Sequence, residues 1–136
     1  MANTFKLEIV TGEGPAYSEE VEMVTLPGIT GQFGVYAQHV SLMTQMEPGE
    51  ITVRKDGRDT FFASGAGLIE VTPTRVSILT DLAVQADKID EAKAEEARKR
   101  AEARLKEKLS AEEVATINAS LARSLAQLRV KRRQRK

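Results

Sequence analysis

Cysteine is absent from the 136 residues, which removes disulfides, thiol nucleophiles and Cys-ligated metals at once. Histidine occurs once, at His39. A single imidazole with no flanking carboxylate pattern builds neither a catalytic triad nor a metal site, so no metal is expected. No apolar run approaches the ~20 residues that span a bilayer. The opening MANTFKLEIV lacks the charged and apolar regions of a secretory signal. These absences lead to the expectation of a soluble protein of a reducing compartment, able to serve as a peripheral part of a membrane assembly. Other absences are local. The last aromatic is Phe62, the last glycine Gly67 and the last proline Pro73. The chain changes character near residue 86, which gives domains 1–86 and 87–136.

Charge divides at the same place. The formal net charge is zero, yet residues 1–86 carry 5 Lys/Arg against 11 Asp/Glu and residues 87–136 carry 15 against 9. The first part is therefore −6 and the second +6.

The first part alternates. TFKLEIV sets Phe5, Leu7 and Ile9 against Lys6 and Glu8; EITVR repeats the pattern with Ile51 and Val53, and RVSILT with Val76 and Ile78. A period of two makes half-buried strands. PGITG, EPGE, KDGR and TPT punctuate them, and Asp56-Gly57 is a strong hairpin signal. In VEMVTLPG the apolar phase slips by one residue, which predicts a bulge. The whole reads as an antiparallel sandwich or barrel over residues 3–86.

The second part lacks helix breakers and is rich in Ala, Glu, Lys, Arg and Leu, the strong helix formers. Asp87 is the expected N-cap of a first helix, with Asp90 as the answering acid. Ser110 and Glu113 form a capping box for a second. The prediction is two helices near 88–107 and 111–132, joined around Leu109 as an antiparallel hairpin. Their stripes are narrow: Ile89, Ala94, Ala97, Ala101 and Leu105 on one, Val114, Ile117, Leu121, Leu125 and Leu128 on the other, with Ala115, Ala119, Ala122 and Ala126 beside them. Alanine buries little area at ~25 cal/mol per Å². Such a hairpin is marginal alone and must dock on something, in one way or in several. The sequence therefore describes a rigid β module carrying a loosely held helical arm.

Two features invite a chemical reading. Gly28, Gly31 and Gly34 form a glycine-rich stretch, but strand-like residues follow where a phosphate loop needs a helix, so turn geometry explains them. The end of the chain, AQLRVKRRQRK, gathers cations; with Arg123 they include Arg129, Arg132 and Arg133. They suit a solvated helix end, favoured by the helix dipole, or contact with an acidic protein partner. A nucleic-acid role is disfavoured, because no aromatic residue is available for stacking and the acidic β part repels phosphate.

Three longer stretches together resemble the epsilon subunits of F-type ATP synthases, of the bacterial type. GITGQFGVYAQHVSLMTQMEPGEI resembles that family's loop-and-strand signature, with Gly34, Tyr36, His39, Leu42, Pro48 and Gly49 in matching places. ASGAGLIEVTPTRVSILTDLA resembles its last sandwich strands, and IDEAKAEEARKRAEARL its first C-terminal helix. The resemblance implies an α+β fold: an N-terminal ten-stranded antiparallel β-sandwich followed by a C-terminal antiparallel two-helix hairpin. It implies a non-catalytic rotor subunit of the central stalk of a proton-translocating synthase. Its partners would be the gamma subunit and the c-subunit ring and, where the arm extends, alpha and beta. It would bind no nucleic acid and would meet the membrane only through the complex, peripherally on the cytoplasmic face of the inner membrane.

The same resemblance gives candidate residues. The loop around His39 faces the c-ring in the family, so Gln32, Tyr36, His39 and Ser41 are candidates for a ring or gamma contact. His39 also suits a plain surface or structural role. Gln32 stands where some members have an acid, and Ala37-Gln38 replace a Pro-Gly. IDEAKA resembles an ATP-binding motif of some members, which makes Ile89, Asp90, Lys93, Arg100 and Arg104 candidates for a regulatory nucleotide. Lys93 replaces the motif's arginine and offers a point charge without a planar fork. The plainer reading has Asp90 cap the helix and Lys93 solvated. No obligatory cofactor is implied, and at most a weak regulatory ATP. The rival reading is a β-sandwich adaptor whose basic hairpin binds RNA or anionic membrane; a small hydrolase is the poorest reading.

Overall fold

The computed structural model describes residues 3–134. Ten strands come first: β1 (Phe5–Thr11), β2 (Gly14–Val21), β3 (Met23–Gly28), β4 (Gly31–Tyr36), β5 (Leu42–Met46), β6 (Gly49–Lys55), β7 (Arg58–Ser64), β8 (Gly67–Thr72), β9 (Arg75–Thr80) and β10 (Ala83–Gln85). They hydrogen-bond in the order β10-β7-β6-β3-β5-β8-β9-β1-β2, with β4 on the side of β3. The ladder turns its corner where β3 meets β5, through the single pair Gly28 and Met46. It nearly closes again where Lys55 of β6 pairs with Glu19 of β2. The result is a sandwich close to a barrel.

Alternation does the sorting. Phe5, Leu7, Ile9, Ile51, Val53, Val76 and Ile78 are buried, while Lys6, Glu8 and Ser77 between them reach the surface. Asp56 and Gly57 both have positive φ, 53° and 74°, as a primed hairpin turn demands. Gly67 serves a different need: a Cβ there would lie 1.9 Å from the Leu79 carbonyl oxygen of the neighbouring strand.

Two strand-level expectations change. The slip in VEMVTLPG is not a bulge. Val21 ends β2, Glu22 is a bend, and Met23 starts β3, so Val21 and Val24 are buried in different strands. The bulge lies in β1–β2 instead, where the register shifts between Ile9 and Val10. In addition, one pair in the otherwise antiparallel ladder is parallel, β1 with β9. Parallel neighbours need a long connection, and the seven strands between them provide it.

Both helices form, with shifted ends. A single 3₁₀ turn (Ala86–Lys88) holds Asp87, and Asp90 is the true N-cap, its carboxylate accepting the Lys93 N–H at 3.0 Å. Helix α1 therefore spans Glu91–Arg104 rather than 88–107. Its end tightens as the Lys106 and Glu107 amides donate to the Ala103 and Arg104 carbonyls at 3.2 and 3.1 Å. The capping box of helix α2 (Ala111–Gln134) is reciprocal: the Glu113 amide donates to Ser110 Oγ, and the Ser110 amide to Glu113 Oε1, each at 3.2 Å. The Ser110 amide, and then the Ser110 hydroxyl donating to the same oxygen at 3.0 Å, hold the Glu113 carboxyl below its ordinary pKa.

Helix α2 buries two stripes, not one. Ile117, Ser120 and Ser124 lie along α1. Val130 packs on the outer surface of the sandwich with Ala63, Ala86 and Ile89, flanked by Phe61 and Val84. Leu125, expected in the seam, falls between the two stripes and is 39% exposed. Ile89 also leaves the helix seam and joins the docking cluster. Helix α1 packs chiefly on α2, which in turn contacts β6, β7 and the 3₁₀ turn. The arm lies against the sandwich, outside its core.

Candidate functional site

The residues chosen around His39 do not form one patch. Gln32 and Tyr36 point to the same side of β4, but four residues of strand, ~13 Å at about 3.3 Å each, separate them. Gln32 lies opposite Pro27 at one end of β4 and Tyr36 opposite Met23 at the other. His39 and Ser41 follow at the Tyr36 end, where the Gln38 amide donates to the Pro73 carbonyl at 2.8 Å. His39 Nδ1 lies 2.7 Å from the Val40 carbonyl, which makes it the donor, and the ring is half-buried. Its surroundings are more apolar than the sequence suggests: Tyr36, Val40 and Met43 are 63%, 75% and 67% exposed.

A second apolar feature was missed from sequence. In the β5-β8-β9-β1 layer, Leu68 and Leu79 pair directly across strands, and Leu79 pairs with Val10. All three point outward, away from Ile69, Ile78 and Ile9 in the next, buried row. Leu68 and Leu79 are about half exposed. The available signal was a leucine breaking the alternation beside each isoleucine, Leu68 before Ile69 and Leu79 after Ile78, but a position near a strand end explains such a residue equally well.

The second candidate set divides as well. A cleft of about 560 Å³ between β10, α1 and α2 is lined by Lys88, Asp90, Lys93, Arg100, Ser124 and Gln127 among others. It brings Asp90, Lys93 and Arg100 together. Ile89 lies buried in the docking cluster instead, and the Asp90 carboxylate is committed to its helix cap. Arg104 is at the far end of α1, paired with Glu107 at 3.0 Å and Glu113 at 3.8 Å.

The basic tail turns inward. Arg123 Nη1 donates to Asp81 at 3.1 Å. Arg132 bridges to α1, reaching Glu91 at 3.1 Å and Glu95 at 2.9 Å. Arg133 is ion-paired with Glu50 of β6 at 2.6 Å and lies over the Phe61 ring, 5.6 Å from its centroid. Lys131 Nζ donates to the Ala86 carbonyl at 3.2 Å. Arg129 is exposed and makes no ion pair among the described residues; Arg135 and Lys136 lie outside them. The Glu95 carboxyl is held below its ordinary pKa, first by its hydrogen bond from Arg98 and further by Arg132. The cationic arm thus finds its acidic partners first in its own chain, which the composition of the two parts had left open.

Comparison with known proteins accounts for both parts. The family model for the beta-sandwich domain of the ATP synthase Delta/Epsilon chain matches residues 4–86, and that for its long alpha-helix domain matches residues 87–132. An ATP synthase epsilon chain of Herpetosiphon aurantiacus is 41% identical over 96% of this chain and 96% of its own length. One of Methylococcus capsulatus is 40% identical over 100% and 98%. One of Chloroflexus aggregans is 45% identical over 91% and 89%. Among solved structures, a chain of the Euglena gracilis mitochondrial ATP synthase (OSCP/F1/c-ring, rotational state 1) superposes with a TM-score of 0.73. It is 23% identical, over 90% of this chain and 77% of that one, a likeness that speaks to the fold. Sandwich, arm and their order in the sequence all agree: this chain belongs to the ATP synthase Delta/Epsilon chain family and groups with the bacterial epsilon chains.

Proposed function

We propose that the chain is a non-catalytic rotor subunit in the central stalk of a proton-translocating F-type ATP synthase, coupling ring rotation to ATP synthesis. The observation that carries this reading is the near-full-length identity to bacterial epsilon chains across both domains. The sandwich does the holding. Its uncovered apolar outer row, Leu68, Leu79 and Val10, suits a gamma subunit, and the exposed Tyr36, Val40 and Met43 around His39 and Ser41 suit the c-ring. Gln32, at the other end of β4, falls to the gamma side of this division. The chain then sits peripherally on the cytoplasmic face of the bacterial inner membrane, through the complex. Among the described residues no helix is long and apolar enough to cross a membrane.

The arm is the regulatory part in this reading. Docked, it lies on the β6-β7-β10 layer; raised, its α2 face and Arg129 would reach toward alpha and beta. The cleft with Lys88, Lys93 and Arg100 offers three cations to a triphosphate and makes the docked arm the form that would take a regulatory ATP. With Lys93 in place of an arginine and Asp90 spent on its cap, binding should be weak. Isothermal titration with ATP tests it: a Lys93→Gln/Arg100→Gln pair should abolish whatever heat the parent gives.

The decisive experiment compares the assembled synthase containing the full chain with one containing residues 1–86. The shortened chain should still bind gamma and support coupled synthesis. Unchanged ATP hydrolysis would remove inhibition by the arm and leave the rotor role intact. Failure of residues 1–86 to bind gamma would overturn the division of labour.

A further inference from the structure

The rotor reading leaves Glu50 without a role. It stands on β6, paired across strands with Ala63, in the outward row that α2 covers. Its side chain is only 11% exposed. Oε1 is ion-paired with Arg133 Nη1 at 2.6 Å, while Oε2 is buried with no hydrogen-bond partner. A carboxylate half stripped of water is costly unless its counter-charge is in place. That counter-charge sits on a side chain 57% exposed in the last turns of α2, steadied by the face of Phe61. The two partners are therefore unequal: Arg133 stays largely hydrated whether or not it is paired, and Glu50 does not.

We infer that Glu50 and Arg133 form a one-sided clasp, in which Arg133 holds the arm down and Glu50, once that arginine is withdrawn, drives the arm off the sandwich. Undocking lets water reach Glu50, so an unpaired carboxylate there favours the raised arm. The docking cluster has only Ile89 and Val130 as large buried side chains to oppose it. Arg123 with Asp81 adds a second, exposed tie that salt weakens. This goes beyond the rotor role and is a property of the isolated full chain, so it stands or falls without reference to the synthase.

The absence of cysteine makes the test direct. Ser18→Cys on β2 and Asn118→Cys on the exposed side of α2 take a donor and acceptor dye, and the docked fraction of the full chain is read by energy transfer. Arg133→Met should raise the raised-to-docked ratio at least about tenfold. Glu50→Met should leave it within about twofold of the parent, because the freed arginine is already hydrated. The double variant should return it to the parent value or below, since an apolar pair replaces the buried charge. Raising salt from about 0.05 M to about 0.5 M should loosen the parent and affect the double variant less. Circular dichroism checks that the sandwich is intact in each variant. An unchanged ratio in Arg133→Met, or a double variant as raised as Arg133→Met alone, would overturn the clasp.

Discussion

Fifteen buried side chains meet in the interior of the sandwich; four, two of them alanines, fasten the arm to its outside. The larger set draws on strands from both layers, so removing any one member disturbs the whole ladder. The smaller set has one sheet residue, Ala63 of β7, and three from the 3₁₀ turn and the arm; its two large members, Ile89 and Val130, are worth ~1.5–3 kcal/mol each when fully buried. The ion pairs around it are mostly exposed and add about 0–1 kcal/mol apiece. What differs between the two regions is the scale of the free energy that holds each. One is set for permanence and the other within reach of a partner, a salt change or a single substitution.

The strongest way to break the contrast is to weaken the body. Ile78→Ala in the core should cost about 2–5 kcal/mol and lower the unfolding temperature of sandwich and arm together, since the arm loses its platform. Calorimetry would show one transition moving as a unit. Next comes Val130→Ala, which removes two buried methyl groups and about 1–2 kcal/mol of docking. Amide exchange should then quicken in α1 as well as α2 while the strand amides stay protected, because α1 is held chiefly through α2. Protection of α1 that survives would mean it has its own hold on the sheet.

Gly57→Ala sharpens the comparison from the other side. It places a Cβ at a φ of 74° and should cost the sandwich roughly 1 kcal/mol, measurable by chemical denaturation, with the docked fraction of the arm unchanged. The smallest effect is that of acid. Glu95 and Glu113 have lowered pKa values in the folded arm, so their contribution is complete above the ordinary carboxylate range and lost as pH falls through the lowered values. Glu19 and Asp59 behave likewise in the sandwich, but there the apolar core remains. Between about pH 5 and pH 3 the helical signal should fall before the sheet signal does.

The parts of this fold that were readable in the sequence are those governed by neighbours along the chain. Alternation identified the buried sets of β1, β6 and β9. Asp56-Gly57 fixed its hairpin, and Ser110 with Glu113 fixed the start of α2. What was not readable depends on partners far away. Asp87 and Asp90 are equal candidates for a cap until the 3₁₀ turn, fixed by docking of Ala86 and Ile89, excludes the first. Leu125 looks like seam and Val130 like tail; only the presence of a sheet on the second side of α2 exchanges them. The basic tail is silent for the same reason, since Glu50, Asp81 and Glu91 lie about forty to eighty positions before the arginines they meet. Nor could spacing reveal that Gln32 and His39 sit toward opposite ends of β4.

The parallel pairing of Lys6–Val10 with Arg75–Leu79 carries a kinetic consequence. The first strand can bond to its hairpin mate early, but its other edge stays open until the ninth strand arrives from the far end of the domain. Closure is thus a long-range search that local structure cannot hasten, and refolding should be slow for a chain of this size. The helices, made of near-neighbour contacts, would form ahead of it and wait for a landing surface that is finished last.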